Sequence, residues 1–364
     1  MTDPHLTADW LALLERAALP LATEVLYLPV GPLERPHACH LPLMRLAVSP
    51  WRIESLATFY SPLAGPVDGC AADPGGLRDV FRRIRLDRQR PTAVIDLAPL
   101  CPQSPFFAAS LTALRQAGWL VGRYFRFGNW YATIGKPDFA AYLAERPSAL
   151  RNTVRRARRK LERQADACLV IQTASDAALE SAIADYQAVY ARSWKRPEPY
   201  PRFIPELCRL AAARGWLRLG LVRILGRPVA AQIWLVEDGR AQIVKLAYDG
   251  AYRSHAVGTL LTAELMRHAI EQDRVIEIDY LMGDDAYKRD WTPQRRERHG
   301  IIAFDPRQPR GLIMAVRHMA GVMLKRWGEP LMSRVGTYPA EPASCFQTLT
   351  RTPPRAPPGY AARD

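Results

Sequence analysis

The sequence lacks the features of a membrane-spanning or exported chain. No stretch of its 364 residues comes near the roughly 18 uninterrupted apolar residues that indicate a transmembrane helix. The opening segment, MTDPHLTADWLALLERAALP, mixes acidic, basic and apolar residues and has no continuous apolar core, unlike a secretory signal peptide. These absences predict a cytoplasmic protein without a transmembrane segment.

Cysteine is scattered rather than clustered. The sequence contains no CxxC pair, and its six cysteines are Cys39, Cys70, Cys101, Cys168, Cys208 and Cys345. Closely spaced ligand pairs are the usual mark of a zinc site, so the sequence predicts no metal. In a chain without an export signal, scattered cysteines indicate reduced thiols in a cytoplasm.

Motifs for several cofactors and nucleophiles are also missing. There is no GxGxxG and no GxxxxGK[ST], so neither a dinucleotide cofactor nor NTP hydrolysis is supported. The absence of GxSxG, together with only seven histidines, argues against a hydrolase triad.

Acidic residues are outnumbered by basic ones. The chain has 50 Lys and Arg against 36 Asp and Glu, a net charge of +14 and a pI near 9.8. This surplus indicates an anionic partner, and nucleic acid, an acidic membrane surface and a phosphate-rich cofactor all stay open. Abundant arginine and alanine are also typical of a bacterium with a GC-rich genome, which explains part of the charge.

What is present is a repeated alternation of strand and helix patterns. Hydrophobic residues make up 48% of the chain, which is enough for packed cores, and the length favours two domains. Strand-like runs such as EVLYLPV (24–30) alternate with amphipathic runs such as GGLRDVFRRIRLDR (75–88) in both halves. The predicted fold class is therefore α/β (α+β), with two units that each hold a mixed twisted sheet flanked by helices.

The predicted domain boundaries follow shifts in composition. Residues 1–147 form an N-terminal unit, 148–165 a basic linker helix, and 166–335 a C-terminal unit. Residues 336–364 are rich in proline and poor in apolar residues, which predicts a disordered tail.

The linker SALRNTVRRARRKLERQA has a narrow apolar stripe and a broad basic face. Leu150, Val154, Ala157 and Leu161 fall on one helical face, and arginines and Lys160 cover the rest. Three interpretations stay open: a solvated linker, a contact with phosphate or nucleic acid, and a helix on a membrane surface. The absence of interleaved aromatic residues weakens binding to single-stranded nucleic acid.

The stretch AYDGAYRSHAVGTLLTAEL (247–265) predicts a strand, a short loop and a helix start. Free backbone N–H groups at such a start carry partial positive charge and can bind a phosphate or pyrophosphate. The small residues Ala256 and Gly258 allow close approach, and Arg253 adds a cation just upstream.

The stretch IEIDYLMGDDAYKRDW (276–291) predicts a strand that breaks at Gly283 into a polar segment. Glu277 and Asp279 lie two residues apart, so they share one strand face at a spacing of about 7 Å.

The combination of these segments resembles the CelD-like branch of the GNAT acyltransferase superfamily, which is related to the Fem-type peptidyltransferases. The resemblance rests on RGWLRLGLVRILGRPVAAQIW, YDGAYRSHAVGTLL and the ending D…G-D-x-x-Y-K-x-x-W, and it covers most of residues 140–300. The superfamily's pyrophosphate loop, commonly Q/R-x-x-G-x-G/A, is RSHAVG here, so Ala256 replaces the first glycine. The resemblance implies two tandem GNAT-like units, with the cofactor chemistry mainly in the second.

The resemblance also implies the position of an acyl-CoA. In GNAT proteins two central strands separate and the thioester lies in the gap; the corresponding strands here would be 241–248 and 275–282. The expected cofactor-binding residues are Lys245, Leu246 and Ala247 along the pantetheine arm, and Arg253, Ser254, His255, Ala256, Val257, Gly258 and Thr259 at the diphosphate.

The expected chemistry is attack of an amine on the thioester, in which positioning does much of the work. An amine with a pKa of about 10.4 is only about one part in 2,500 unprotonated at pH 7, so a base is useful. Asp279, Glu277 or a water that they hold is the candidate base, and Tyr287 or Tyr248 the candidate acid. A purely structural salt bridge is the alternative for the two carboxylates.

The remaining candidates surround that site. Lys288 is expected to pair with Asp279 or Asp284, or to hold an anionic group of the substrate. Trp194, Tyr248, Asp284 and Trp291 are the candidate substrate-binding residues; packing in the core is the alternative for Trp194, Trp291 and Tyr287.

The predicted function is transfer of an acyl group, expected to be acetyl, from acetyl-CoA or another acyl-CoA to an amine acceptor. The resemblance connects the acceptor with polysaccharide or envelope biosynthesis. Two alternatives stay open. One is a Fem-type transferase that uses aminoacyl-tRNA, held by the basic helix; the other is a non-catalytic, degenerate GNAT scaffold in peripheral contact with a membrane.

Overall fold

The computed structural model describes residues 3–31, 39–70, 73–136, 138–164 and 166–332. The tail predicted at 336–364 lies outside the described residues. Residue contacts divide the chain into two units, Met1–Ala315 and Val316–Asp364. The sheet and the candidate site belong to the first unit, and the described part of the second is helical.

Helices and strands alternate along the chain, as the sequence patterns indicate. The helices are α1 (Ala8–Ala17), α2 (Pro74–Leu86), α3 (Pro105–Gln116), α4 (Phe139–Ala144), α5 (Ser148–Glu162), α6 (Leu179–Ala191), α7 (Phe203–Ala213), α8 (Val257–Glu271), α9 (Ala286–Trp291) and α10 (Pro309–Met332). The strands are β1 (Glu24–Val30), β2 (Cys39–Arg45), β3 (Arg52–Ser55), β4 (Val94–Leu100), β5 (Leu120–Thr133), β6 (Cys168–Gln172), β7 (Leu217–Ile224), β8 (Arg227–Glu237), β9 (Arg240–Tyr248), β10 (Glu277–Asp279) and β11 (Gln294–Phe304).

Within the described residues the strands form one sheet of eleven, in the order β1-β2-β3-β4-β11-β5-β10-β9-β8-β7-β6. Parallel pairs join β3 to β4 and β9 to β10, and the other pairs are antiparallel. The mixed α/β sheet flanked by helices confirms the predicted fold class.

The sequence patterns do not predict β11, whose first half, QRRERHG, is too charged to read as a strand. Even so, it lies between β4 and β5, pairing with β4 from His299 to Phe304 and with β5 along its whole length. A strand from the last quarter of the chain therefore pairs with both β4 and β5, which belong to the first half.

Alternating side chains along β8 define the two faces of the sheet. Ile233 and Leu235 pack in a core with α1, α6 and α7, and this side is called the front face below. Trp234 points to the opposite, back face and packs with α4 and α8. Helices α2 and α3 form a third core with β2 and β4.

Two cysteines contradict the prediction of reduced thiols. Cys39 and Cys70 form a disulfide between β2 and the turn that precedes α2. Their Cα atoms are 5.8 Å apart although 31 residues separate them in sequence, and only the fold brings them together. Cys101, Cys168 and Cys208 are free thiols.

The described helices include none that is both long enough and apolar enough to cross a membrane.

Candidate active site

Strands β9 and β10 are neighbours over only a short distance. They pair in parallel at Arg240 to Gln242 opposite Glu277 to Asp279. Beyond Gln242, β9 continues to Tyr248, whereas β10 ends and the backbone turns away at Leu281, which has a positive φ of 55°. Backbone pairing between β9 and β10 therefore ends at Gln242, shortly before the residues predicted to line the pantetheine arm.

The predicted diphosphate-binding segment follows β9 as a 3₁₀ turn, Gly250–His255, and the first turn of α8. Asp249 starts this turn by accepting a hydrogen bond from the backbone N–H of Ala251 at 3.0 Å. Its carboxylate is held in turn by Arg192 and Arg227, each at 2.9 Å. The conformation of the loop is thus fixed by ion pairs that lie outside the predicted phosphate contacts.

Ala256 and Gly258 differ in what their positions require. Ala256 has φ 50° and ψ 37°, in the left-handed region that favours glycine, so alanine is strained where the superfamily pattern has its first glycine. A Cβ on Gly258 would lie 2.9 Å from Cδ1 of Tyr248, which is too close. Glycine at 258 is therefore required by packing against the last residue of β9.

The basic helix α5 packs beside this loop. Lys160 donates to the backbone oxygen of Ser254 at 3.3 Å, and Arg158 forms an ion pair with Glu264 on α8. Burial, together with the neighbouring charge of Lys160, lowers the pKa of His255. Positive charge from α5 thus lies next to the predicted diphosphate residues.

Asp279 and Glu277 lie on the front face in a network of ion pairs. Arg296 of β11 forms ion pairs with Asp279 and, at 2.9 Å, with Glu277. Asp279 is 2% exposed and also accepts hydrogen bonds from the side chain of Asn129 and, at 2.6 Å, from the backbone N–H of Leu281. Both predicted bases are therefore bound to protein groups.

Arg296 is the centre of this network. Its guanidinium lies 4.3 Å from the centroid of the Tyr131 ring and donates to Asn129 Oδ1 at 2.7 Å. Burial alone would lower the pKa of Arg296, but Asp279 and Glu277 more than offset it, so the pKa is raised. Sequence reasoning misses this residue because it lies on the unpredicted strand β11.

In the polar segment after β10, the ion-pair partners of the charged side chains differ from the predicted ones. Lys288 forms an ion pair with Asp285 at 3.0 Å, not with Asp279 or Asp284, and donates to the Met282 carbonyl at 2.6 Å. Asp284 is bound by both Nε and Nη2 of Arg295, and these hydrogen bonds lower its pKa.

The aromatic candidates separate into two groups. Trp291 is 4% exposed in the back-face core, and its carbonyl accepts from the hydroxyl of Tyr142. Trp194 is 59% exposed, and its ring lies 4.5 Å from that of Tyr248. Tyr287 is 45% exposed, and desolvation of its hydroxyl raises its pKa. Trp194, Tyr248 and Tyr287 are thus accessible, whereas Trp291 is enclosed.

A second cluster on the front face, which the sequence analysis does not predict, surrounds Lys245. Its ammonium lies 2.7 Å from Glu198 Oε1 and about 5 Å from the ring centroids of Phe59 and Tyr60. Tyr60 donates to the other oxygen of Glu198 at 2.8 Å.

Lys195 belongs to the same cluster. Burial, and then the charge of Lys245, lowers the pKa of Lys195 to about 8, and the charge of Lys288 acts in the same direction. Lys195 is therefore close enough to Lys245 and to Lys288 to be repelled by both. Lys195 directly precedes the proline-rich stretch RPEPYP and Glu198 lies within it, and a loop of this kind gives no periodic pattern from which their positions could be predicted.

Among the described residues, no group of three or more His, Cys, Asp or Glu side chains is placed to hold a metal ion.

Comparison with known proteins agrees with this architecture. Residues 148–289 match the family model of the acetyltransferase (GNAT) domain. The structure is similar to that of FemX, with a TM-score of 0.57, 10% sequence identity, and coverage of 86% of this chain and 94% of that chain. It is also similar to L-PGS from Bacillus licheniformis, with a TM-score of 0.53, 10% identity, and coverage of 85% and 96%. No curated protein matches the sequence. The chain thus shares its fold with FemX and L-PGS, and its residues 148–289 match the acetyltransferase (GNAT) domain.

Proposed function

We propose that this protein is an N-acyltransferase that moves an acyl group from a coenzyme A thioester to an amine acceptor. The observation that carries the proposal is that β9 and β10 stop pairing at Gln242 while β9 runs on toward the first turn of α8, an arrangement in which a gap between the two strands would hold the thioester. A gap between central strands leaves backbone groups of β9 free to bind the pantetheine amides. The free N–H groups at the start of α8 favour a diphosphate.

The residues for the donor are those of the β9 end and the following loop. Lys245, Leu246 and Ala247 would line the pantetheine arm, and Arg253 to Thr259 would hold the diphosphate. Lys160, next to Ser254, adds positive charge for a phosphate. We expect the acyl group to be acetyl and, from the CelD-like resemblance, the acceptor to belong to polysaccharide or envelope biosynthesis.

The acceptor would approach from the front face, where the ionisable side chains gather. The amine nitrogen attacks the thioester carbonyl carbon, the C–S bond breaks, and the thiolate leaves. The amine proton passes to a carboxylate, for which Asp279 and Glu277 remain candidates. Glu198 is added to them because it forms an ion pair with Lys245, and Lys245 lies on the part of β9 that would border the gap.

Lys288, Tyr287 and Tyr248 are the candidate groups for the leaving thiolate. A thiol with a pKa of about 8.5 is a good leaving group, so protonation contributes little to the rate. Lys288 is 5% exposed and held by the Met282 carbonyl, which makes it a fixed positive charge near the gap.

The alternative donor is an aminoacyl-tRNA, as in the Fem-type transferases to which the CelD-like branch is related. The observation that favours it is the exposed arginine-rich surface of α5 next to the Gly250–His255 turn, including Arg155, Arg156 and Arg159. Binding through such residues depends steeply on salt, because it releases counterions from the nucleic acid.

Calorimetric titration with coenzyme A and acetyl-CoA tests the donor. Arg253→Glu places a negative charge in the predicted diphosphate site and is expected to weaken binding at least tenfold. Arg274→Glu makes the same charge change at an exposed position at the other end of α8 and should bind like the original protein. No binding of either thioester, together with salt-dependent binding of tRNA, would replace the proposal by the alternative.

Variants of the carboxylates then identify the proton acceptor. Loss of a general base lowers kcat by about 10²- to 10⁴-fold. We expect Glu198→Gln to lower kcat in this range and Glu277→Gln to have a smaller effect, because Glu277 lies opposite Arg240, where β9 and β10 still pair. The reverse order would assign the role to the pair on β10.

A further inference from the structure

A cleft of about 790 Å³ lies on the exposed edge of β11, outside the donor site. It forms where β4 ends at Leu100 while β11 extends further along β5, and the loop after β4 supplies its other wall. Its lining includes Cys101, Gln103, Tyr131, Arg296, Arg298 and His299. The volume lies within the range of roughly 300–1,000 Å³ that ligand pockets occupy.

Most charged groups of this lining have partners within the protein. Arg295 is bound by Asp284 and Glu297, Arg296 by Glu277 and Asp279, and His299 lies 3.0 Å from Glu297. Cys101 donates to Gln103 at 3.4 Å.

Arg298 differs from its neighbours. It is 7% exposed, its buried Nε has no hydrogen-bond partner, and within the described part of the chain its guanidinium forms no ion pair. A buried cation without a partner is costly. The planar guanidinium fork matches the geometry of a carboxylate or phosphate.

We propose that Arg298 binds a carboxylate or phosphate group of the amine acceptor, so that the cleft is the acceptor's anion subsite. This proposal rests on the proposed function. Arg298 and Arg296 are two residues apart on the front face of β11, a separation of about 7 Å. An acceptor held through its oxyanion at Arg298 would therefore extend its amine along the front face, past the carboxylates that Arg296 binds, toward the end of the β9–β10 pairing. The substrate class is an amine that carries an oxyanion.

The first experiment measures anion binding without any thioester. Thermal melting of the full chain is compared in sodium phosphate, sodium succinate and sodium chloride at equal ionic strength. The variants are Arg298→Met and Arg115→Met; Arg115 is an exposed arginine on α3 outside the cleft lining and provides the matched loss of charge. Phosphate or succinate should raise the melting temperature of the original protein and of Arg115→Met, but not of Arg298→Met.

The melting temperature in chloride gives a second readout. Because Arg298 has no partner, Arg298→Met should melt at the same temperature as the original protein or higher. A large decrease would mean that Arg298 has a structural role. The proposal would be overturned by such a decrease. It would also be overturned if the anions raised the melting temperature of Arg298→Met as much as that of the original protein, or did not raise that of the original protein at all.

The second experiment measures acyl transfer to matched amines, phosphoethanolamine against ethanolamine and β-alanine against its amide. The anionic member of one pair should have at least a tenfold higher kcat/KM, and the ratio should fall to about one in Arg298→Met. The preferred pair distinguishes phosphate from carboxylate. Anion binding without any such preference would overturn the acceptor assignment. Transfer to no amine would overturn that assignment together with the proposed function, and leave Arg298 as an anion site alone.

Discussion

At the scale of single residues, the front face shows how a sheet accommodates many charges. Asp279 is almost fully buried, but three donors satisfy it: Arg296, Asn129 and the backbone N–H of Leu281. Removing one partner of such a network leaves the other charge buried and unpaired, which costs about 3–5 kcal/mol. This network lies where β9 and β10 still pair, so it stabilises the point at which the two strands separate in the proposed function.

In the cluster of Lys195, Lys245 and Lys288, positive side chains outnumber the carboxylates that pair with them. Lys195 is repelled by Lys245 and Lys288, while Glu198 forms an ion pair with Lys245 and Asp285 forms one with Lys288. The excess positive charge faces the proposed acceptor side of the gap, where it favours an anionic substrate or an anionic transition state.

The lowered pKa of Lys195 leads to a prediction about stability and pH. Burial, and then Lys245, lowers this pKa to about 8 in the folded protein, against about 10.4 in an unfolded chain. Between these values the unfolded chain binds a proton that the folded chain has released, so the free energy of unfolding rises with pH. From pH 7 to 9.5 the contribution of Lys195 is about 2 kcal/mol.

Urea unfolding at the two pH values measures this contribution. Lys195→Met should lose the gain, whereas Lys136→Met, at an exposed position, should keep it. An identical pH dependence in the original protein and in Lys195→Met would contradict the assigned pKa.

At the scale of elements, the joint between β9 and α8 determines the geometry of the predicted donor loop. Tyr248 ends β9 and packs against Gly258 in the first turn of α8, while Gln232 of β8 donates to the carbonyl of Gly258 at 3.1 Å. A strand, a loop and a helix are thereby fixed to one another at a single glycine.

Gly258→Ala is therefore expected to destabilise the protein by about 1–3 kcal/mol, because the new methyl group overlaps the Tyr248 ring. Because this overlap forces Tyr248 and the first turn of α8 apart, the substitution should also weaken coenzyme A binding. Gly250→Ala is the matched control, because a Cβ there has no atom within 4 Å. Urea unfolding and calorimetric titration measure the two effects, and equal behaviour of the two variants would refute the role of the Tyr248 contact.

At the scale of the whole molecule, β11 joins parts of the chain that are far apart in sequence. It lies between β4 and β5, and Ile301 and Ala303 are fully buried in the core that α2 and α3 cover. The GNAT family match ends at residue 289, before this strand begins. The independence of the predicted units 1–147 and 166–335 stays a prediction.

A chain that ends after Pro293 is expected to lose cooperative unfolding. Without β11, the facing edges of β4 and β5 lose their backbone partners, and the α2–α3 core loses two buried side chains. A chain that ends after Met332 retains every described element and should melt within a few degrees of the full chain. Thermal melting followed by circular dichroism tests both, and a cooperative transition of the shorter chain at the original temperature would contradict the prediction.

Local sequence patterns were sufficient for much of the fold. The apolar alternation of EVLYLPV predicts β1 at its observed bounds, and the stripe through Val257, Leu260 and Leu261 predicts α8. Sequence also located the predicted phosphate loop and the pair Glu277 and Asp279, because each lies within one continuous segment. The roles of those residues stay predictions.

The sequence by itself determined the alternation of helices and strands, the excess of positive charge and the strand–loop–helix segment at 247–265, because these depend on neighbours along the chain. Only the tertiary structure decided which charges meet. Arg296 reaches Asp279 from the next strand but one, Glu198 reaches Lys245 from a proline-rich loop, Cys39 joins Cys70, and Arg298 has no partner among the described residues. Such contacts depend on strand order and register, and β11, whose many charged residues give no strand pattern, supplies Arg296 and Arg298.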